Sequence, residues 1–409
     1  MNLKNLDRRL ITILLIVFVQ MLGAAMILPI LPLYAQREFN LSPEIIALLT
    51  TSFFAAQFIA GPFLGRLSDK RGRIPVLIIS QIGTVISFVM LAGAQSAWVL
   101  FLARILDGIT GGNIIVAQAY ITDVTPREKR TESLGYIFAV FGLGFVIGPA
   151  LGGILSASLG PRVPYVIAAA AALGVVLLTW FTLEETVTPD KQQAARDVQQ
   201  GGINPGEVIR NAPLLLILIV AFVGQSALGL LQSTFALFAD EVYFDGYDPR
   251  TATLGVGLLL AVVGLTQFIT QAFLLRRFLK RFGEYKLVIL GNVIRMTGAF
   301  TYAIVTTPYL GALASVFFAM GLSLMMPSLQ SLATSTVDDE VRGGVLGLYQ
   351  STVSLSTIVS TAVGGLLFAL TATLPYWVAG LMAAIALIPS FVLLLRYGGN
   401  QAQTGTKPA

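Results

Sequence analysis

Residues 65–77 read GRLSDKRGRIPVL, a short charged segment with two glycines that joins two long apolar runs. Each run is long enough to cross a bilayer, which requires about 20 predominantly apolar residues in a helix. Because the connection is short, the two runs must be antiparallel neighbours in a membrane. The basic residues of the segment, Arg66, Lys70, Arg71 and Arg73, then lie on one side of that membrane.

The composition of the whole chain also indicates a membrane protein. Its 409 residues are 56% hydrophobic and 11% charged, whereas soluble domains are about 25% charged. The net charge of +5 does not indicate a nucleic-acid partner, because the basic residues fall in loops between apolar runs. With no cysteine and no histidine, disulfides, Cys/His metal sites and a histidine proton relay are excluded. We expect no cofactor and no enzyme activity, and any proton chemistry must use carboxylates.

The hydropathy pattern predicts an all-α membrane protein with twelve transmembrane helices. The first apolar run is too long for a signal peptide, so we interpret it as a retained helix. The predicted spans are 10–34, 43–66, 74–94, 97–121, 133–156, 163–183, 212–238, 252–278, 286–306, 310–334, 344–370 and 375–396.

A polar interruption from Glu184 to about Asn211 separates six spans from six others and has the composition of a solvated linker. We therefore predict an N-terminal half over 1–186, a cytoplasmic linker over 187–211, and a C-terminal half over 212–409 with a short cytoplasmic tail.

A weak internal repeat supports this division. Gln118 and Arg130 recur as Gln330 and Arg342 at one separation along the chain. The second-half copy of the charged hinge lies between Arg277 and Lys286 and keeps Gly283, but it has Lys280 where an aspartate would fall.

The placement of lysine and arginine predicts the orientation of the chain. Of the 26 basic residues, only Arg37, Arg162 and Arg250 fall in loops that are external when the N-terminus is inside, and Arg104 and Arg295 fall within predicted helices. We therefore predict a multi-pass protein of the inner (cytoplasmic) membrane with both termini cytoplasmic.

The fourth predicted span carries Arg104 and Asp107 one helical turn apart, on one face with Gly111 and Gln118. Asp107 is the only carboxylate deep inside any predicted span, about 15 Å from the helix start. A charge in lipid must be paired or neutral, so Arg104 is its natural partner. Asp107 is therefore a candidate proton carrier, and the alternative is a permanent ion pair that only stabilises this helix.

The fifth predicted span contains GFVIGPALGG, whose glycines let helices approach closely in lipid and whose proline bends the helix. The residues of this motif are Gly144, Gly148, Pro149, Gly152 and Gly153.

The order of Gly65, Asp69, Gly72 and Arg73 resembles the loop between the second and third helices of the major facilitator superfamily of secondary transporters. The glycine-proline motif is similar to a signature of the superfamily's proton-coupled drug exporters. Over nearly the whole chain, the order and spacing of these motifs resemble the tetracycline-type branch of drug:proton antiporters. The resemblance implies the major facilitator fold, with two six-helix halves.

The resemblance also implies roles for individual residues. It implies that Asp69 closes the cytoplasmic side, partly by facing a helix N-terminus near Gly343 and Gly344, and that Arg104 takes part in proton transfer. It implies that the first, fourth, seventh and tenth helices line a central cavity. The predicted cavity residues are Gln20, Gln118, Gln225, Gln232, Arg295 and Gln330, and the glutamines are equally suited to joining helices by hydrogen bonds.

The chain departs from the tetracycline branch at its proton sites. Aspartates in the first, third and ninth helices of those exporters align here with Gln20, Ser87 and Arg295. Most of that branch's proton sites are thus missing, which argues against tetracycline itself as the substrate.

We expect a monomeric secondary active transporter that exports drug-like amphipathic compounds in exchange for protons by alternating access. Its partners are then a small-molecule substrate, protons and the lipid bilayer, with no nucleic acid. The alternative is a facilitator or proton symporter for a sugar or an organic anion, with Arg295 as the anion contact.

Overall fold

The computed structural model describes residues 8–111, 113–125, 130–187, 211–337 and 342–398. These residues are helical apart from short connections. In the first part of the chain the helices are α1 (Arg8–Phe39), α2 (Pro43–Arg71), α3 (Arg73–Ala92), α4 (Ala97–Thr110), α5 (Asn113–Val124), α6 (Arg130–Leu159) and α7 (Val163–Thr182). In the second part they are α8 (Ala212–Phe238), α9 (Pro249–Ile269), α10 (Leu275–Ile304), α11 (Pro308–Ser335), α12 (Arg342–Leu370) and α13 (Leu374–Tyr397). Most of the predicted linker over 187–211 lies outside the described residues.

Among the described residues, eleven helical segments are long and apolar enough to cross a membrane. One of them, Pro249–Ile304, has 56 residues, whereas a single crossing needs about 20. Gly283 within this segment has φ 74° and ψ 167°, which is not helical. The backbone therefore turns at the glycine of the predicted second hinge.

The fourth predicted span, 97–121, lies within a segment, Ala97–Val124, that is long and apolar enough to cross a membrane. The structure describes it as α4 and α5, and the residue between Gly111 and Asn113 lies outside the described residues. The placement of Gln118 on one face with Arg104 therefore stays a prediction.

The helices pack as two compact units. The first unit comprises Met1–Gln199 and Phe244–Leu265, and the second comprises Gln200–Tyr243 and Thr266–Ala409. The division of the sequence at 186 and 212 rests on the linker and the repeat and stays a prediction. In the structure, most of α9 packs with the first unit.

The two units repeat one pattern of helix packing. In the first unit, α1 packs against α6 and α7, and α3 packs against α4 and α7. In the second unit, α8 packs against α12 and α13, and α10 packs against α11 and α13. The same order of partners in both units agrees with the internal repeat in the sequence.

Side-chain burial differs from that of a soluble protein in two respects. Arg104, Asp107 and Arg295 are buried, whereas Phe181 and Leu395 are exposed. Large apolar side chains on the outside are stable only in contact with lipid, so this surface is that of a multi-pass membrane protein.

Candidate functional site

The hinge between α2 and α3 requires a glycine at position 72. Gly72 has φ 103°, a region that side chains with a Cβ disfavour. A Cβ there would also collide with the Glu185 carboxylate. Gly65 is different, because a Cβ at that position would meet only Ile115 at 3.8 Å. The predicted motif therefore contains one glycine that the backbone requires and one that it does not.

Arg73 connects the end of α2 to the end of α5. Its Nη1 atom lies 2.6 Å from the Asp69 carboxylate, and its Nε donates to the Asp123 carboxylate at 3.0 Å. The Asp69 side chain is 41% exposed, so solvent screening limits this bridge to about 1 kcal/mol or less. The structure thus brings the predicted Asp69 and Arg73 together. Closure of the cytoplasmic side by Asp69 near Gly343 and Gly344 stays a prediction.

Glu185, just after α7, caps the N-terminus of α3. Its carboxylate accepts hydrogen bonds from the backbone N–H groups of Arg73 at 2.9 Å and Ile74 at 3.1 Å. It also accepts from the N–H groups of Thr186 at 2.9 Å and Val187 at 3.0 Å. The first N–H groups of a helix have no partner within it and favour an anion. The segment after α7 is therefore attached to the hinge.

Arg104 and Asp107 form a buried ion pair on α4. The Arg104 Nη1 atom lies 2.9 Å from Asp107 Oδ2, and each side chain is 9% exposed. The guanidinium also lies over the ring of Phe53 on α2, 4.1 Å from its centroid. Phe53 reaches this position because α2 and α4 pack closely at Gly108, where a Cβ would come within 2.8 Å of Ala56.

Removing one partner of this ion pair destabilises the protein strongly, although the intact pair contributes little to stability compared with an apolar replacement. Removing one partner of a buried pair costs about 3–5 kcal/mol, because the other charge is left uncompensated. The Nε atom of Arg104 has no hydrogen-bond partner among the described residues. Arg104 also interacts electrostatically with Tyr165 at the start of α7. The polar environment of the pair is therefore incompletely satisfied within the described part of the chain.

The glycines of α6 are positions of close helix approach. A Cβ at Gly144 would lie 2.7 Å from the Met21 Cβ, and one at Gly148 would lie 2.6 Å from the Ala25 Cβ, both on α1. At Gly152 it would meet a carbonyl oxygen of α1 at 2.7 Å.

The other side of α6 faces α9 through a second pair of small residues. The backbone at Gly153 lies against Gly257, and a Cβ on Gly257 would come within 2.5 Å of the Pro149 carbonyl oxygen. The predicted motif thus lets α6 contact α1 and α9 at backbone distance.

Arg295 on α10 is fully buried in the second unit, with 0% exposure. Its Nη1 donates to the Gly224 carbonyl at 2.5 Å and its Nη2 donates to Asn292 Oδ1 at 2.8 Å. Both acceptors are neutral, and no salt bridge to Arg295 is formed within the described parts of the chain. Within those described parts, its positive charge is therefore stabilised only by neutral dipoles, and its Nε atom is buried without a hydrogen-bond partner.

The predicted cavity glutamines differ in their surroundings. Gln225 is buried and donates to Thr357 Oγ1 at 3.0 Å, so it joins α8 to α12. Gln20 is buried, and neither of its amide atoms has a hydrogen-bond partner in the described regions. Gln118 and Gln232 are half-buried, and Gln330 is exposed. Whether they line a cavity stays a prediction.

Sequence reasoning missed the residues that surround the predicted ones. Phe53, Glu185 and Tyr165 contact or influence predicted residues from another helix or connection. No spacing within the chain indicates them, since Glu185 bonds a residue 112 positions away. Asn292 lies three residues before Arg295 on α10, a helical spacing that the sequence does show.

The chain matches the Major Facilitator Superfamily over residues 13–255 and 246–409. It therefore belongs to this superfamily, whose members are membrane transporters that move small molecules and are not enzymes.

Among its relatives is the tetracycline resistance protein of class E from Escherichia coli, which is 31% identical over 90% of this chain and 89% of that protein. Multidrug resistance protein 2 of Bacillus subtilis is 25% identical over 91% of each chain. A solved bacterial homologue of the human lysosomal transporter Spinster has the same fold, with a TM-score of 0.79 and 18% identity over 98% of each chain.

Proposed function

We propose that this transporter exports drug-like amphipathic compounds in exchange for protons by alternating access. The observation that carries the proposal is the buried Arg104–Asp107 pair on α4. It is supported by relatives that are tetracycline and multidrug resistance proteins. Intramembrane charges cost several kcal/mol to maintain and usually mark ion or substrate pathways.

In this proposal Asp107 carries the proton and Arg104 modulates it. Arginine remains charged in proteins, so only the carboxylate can gain and lose a proton. When Asp107 is protonated, Arg104 loses its ionic partner and turns to other acceptors. Because this change occurs next to Phe53 on α2, protonation alters the contact between two helices. That coupling is what an exchange of protons for substrate requires.

The proposed topology has twelve spans in two six-helix halves, 1–186 and 212–409, joined by the cytoplasmic linker. The 56-residue segment Pro249–Ile304 then supplies two spans that meet at Gly283. We place both termini in the cytoplasm and the monomeric protein in the bacterial inner membrane.

Two sets of contacts fit the gates that alternating access requires. The hinge with Gly65, Asp69, Gly72 and Arg73 is the proposed cytoplasmic latch. The backbone-distance contacts of α6 with α1 and α9 are the proposed extracellular seal, because small residues let helices separate and re-form a contact without repacking long side chains. The substrate would bind among apolar walls with Gln20, Gln118, Gln225, Gln232 and Gln330 for orientation.

The test measures proton release from everted membrane vesicles on addition of lipophilic cations, tetracyclines and organic anions. Wild type and Asp107→Asn are compared, with immunoblotting to confirm equal insertion. Asparagine keeps the size and a hydrogen-bond acceptor for Arg104 but cannot bind a proton as a carboxylate does. We expect proton release by wild type and none by the variant. Release that persists in Asp107→Asn would exclude Asp107 as the carrier.

The second candidate is a facilitator or symporter for a sugar or an organic anion. It is favoured by Arg295, whose charge has only neutral partners among the described residues. A buried, uncompensated guanidinium can take a carboxylate or phosphate group of a substrate. If the facilitator or symporter hypothesis is correct, Arg295→Gln abolishes organic-anion transport, and Asp107→Asn leaves counterflow exchange intact.

A further inference from the structure

A pocket lies at one end of the first unit. It has a volume of about 380 Å³ and lies between the C-terminal ends of α1 and α6 and the N-terminal end of α9. Its lining includes Tyr34, Arg37, Glu38 and Arg250. In the proposed orientation α1 ends at the extracellular side, so the pocket opens outwards. Its polar lining and its size suit water molecules, each of which occupies about 30 Å³.

Tyr34 extends from this pocket into the protein. It is only 2% exposed, and its hydroxyl accepts a hydrogen bond from Arg162 Nε at 3.1 Å. A second bond, from Arg162 to the Ala94 carbonyl at 3.2 Å, holds the guanidinium in place. Because arginine only donates, the Tyr34 hydroxyl keeps its own proton to donate further inwards.

Tyr165 packs against Tyr34 and is an electrostatic partner of Arg104. Its ring centroid is 5.8 Å from that of Tyr34, and its side chain is 1% exposed. Its hydroxyl interacts electrostatically with both Tyr34 and Arg104, yet it has no hydrogen-bond partner in the part of the chain that the structure describes. Leaving a buried hydroxyl unsatisfied costs about 1–3 kcal/mol. A phenylalanine would avoid this cost, so the hydroxyl itself calls for an explanation.

We propose that the hydroxyls of Tyr34 and Tyr165 form the route by which protons reach Asp107 from the extracellular side. The route rests on the proposed function, because it needs Asp107 as the carrier. Each hydroxyl accepts one proton and passes on another, with water completing any gap. One proton leaves the water of the pocket and one arrives on the Asp107 carboxylate, so neither tyrosine keeps a charge.

The test follows protonation of Asp107 directly. Purified protein is reconstituted into vesicles in one orientation, and the pH on the extracellular side is lowered rapidly. The infrared band of the protonated carboxyl is followed in time, and its loss in Asp107→Asn identifies it. Tyr165→Phe removes only the hydroxyl and should slow the rate at which the band appears at least about tenfold, because a positioned proton donor typically contributes 10²–10⁴-fold to a rate.

The matched control is Tyr120→Phe. Tyr120 is buried in the same unit, and its hydroxyl donates to the Glu184 carbonyl at 3.2 Å, near the cytoplasmic ends of the helices in the proposed orientation. The rate in this variant should equal that of wild type. Exchange of a lipophilic cation without a pH gradient should also be unchanged in Tyr165→Phe, since exchange needs no net proton uptake.

Each outcome decides one question. An unchanged rate in Tyr165→Phe with a normal band overturns the route but keeps Asp107 as the carrier. A wild-type protein without a band assignable to Asp107 overturns the proposed function and the route together. Equal slowing in Tyr120→Phe, or loss of gradient-free exchange, indicates general structural damage and also overturns the route. If Tyr165→Phe does not fold, Tyr34→Phe tests the same route from its outer end.

Discussion

Replacing Arg104 should destabilise the protein more at neutral pH than at acidic pH. In Arg104→Met, the Asp107 carboxylate stays buried but loses the donor that lies 2.9 Å away. Breaking a buried ion pair costs about 3–5 kcal/mol, and losing the cation above Phe53 adds about 0.5–2 kcal/mol. The carboxylate relieves most of this cost when it takes up a proton, so the loss should shrink as the pH falls.

The expected loss is large enough to measure by thermal unfolding in lipid nanodiscs, followed by tryptophan fluorescence. For a unit of roughly 200 residues, each kcal/mol lowers Tm by about 2–4 °C. A loss of about 3.5–7 kcal/mol in Arg104→Met should therefore lower Tm by roughly 7–28 °C at neutral pH. Arg396→Met, which alters an exposed arginine on α13, is the control and should change Tm little.

The variant of the other partner, Asp107→Leu, should not show this pH dependence. Asp107→Leu leaves the guanidinium buried, and an arginine stays charged at any accessible pH. Its loss of stability should therefore not depend on pH. The double variant should lie close to wild type, because apolar replacement of a whole buried pair is often neutral. The reasoning would be refuted if Arg104→Met lowered Tm by the same amount at neutral and at acidic pH.

Three other changes have defined outcomes. Gly72→Ala should destabilise the protein by about 1–3 kcal/mol through strain at positive φ. Made in a Glu185→Ala background, the same change should lower Tm by less than it does in wild type, because the collision with the Glu185 carboxylate is absent. Gly148→Leu should abolish transport in the vesicle assay while the protein still inserts, since overpacking against α1 costs about 1–3 kcal/mol or more. Asp248 precedes α9, and a hydrogen bond from the Thr251 hydroxyl lowers the pKa of its carboxyl. Because the pKa is lower in the folded protein, the ionised carboxylate stabilises the fold at pH values above the unfolded pKa of about 3.9. This stabilisation is lost as the pH falls through the pKa of the folded protein. Asp248→Ala should therefore lower Tm at neutral pH and have little effect in strong acid.

Features that depend on one helix or one backbone position could be predicted from the sequence. Arg104 and Asp107 meet because residues three apart face the same side of a helix. The glycines of α6 mark close helix contacts because only glycine lets backbones approach so closely. The hinge glycines follow the same reasoning, since Gly72 and Gly283 both have positive φ.

Features that depend on tertiary packing could not be predicted. The sequence does not indicate that Glu185 caps α3, because the pairing depends on where α7 ends in space. The sequence places Asn292 three residues before Arg295 on one helix, but the second partner of Arg295, the Gly224 carbonyl, follows only from how α8 packs beside α10.

The cap formed by Glu185 also decides where a reporter domain can be inserted between the two halves. The helix α7 ends at Thr182, so its end looks like the natural junction. However, the next residues are bonded to the hinge through Glu185, and Val187 contributes one of those bonds. A fluorescent protein placed after Val187 leaves the Glu185 cap intact, whereas one placed at Thr182 separates the cap from α7, the helix that positions it.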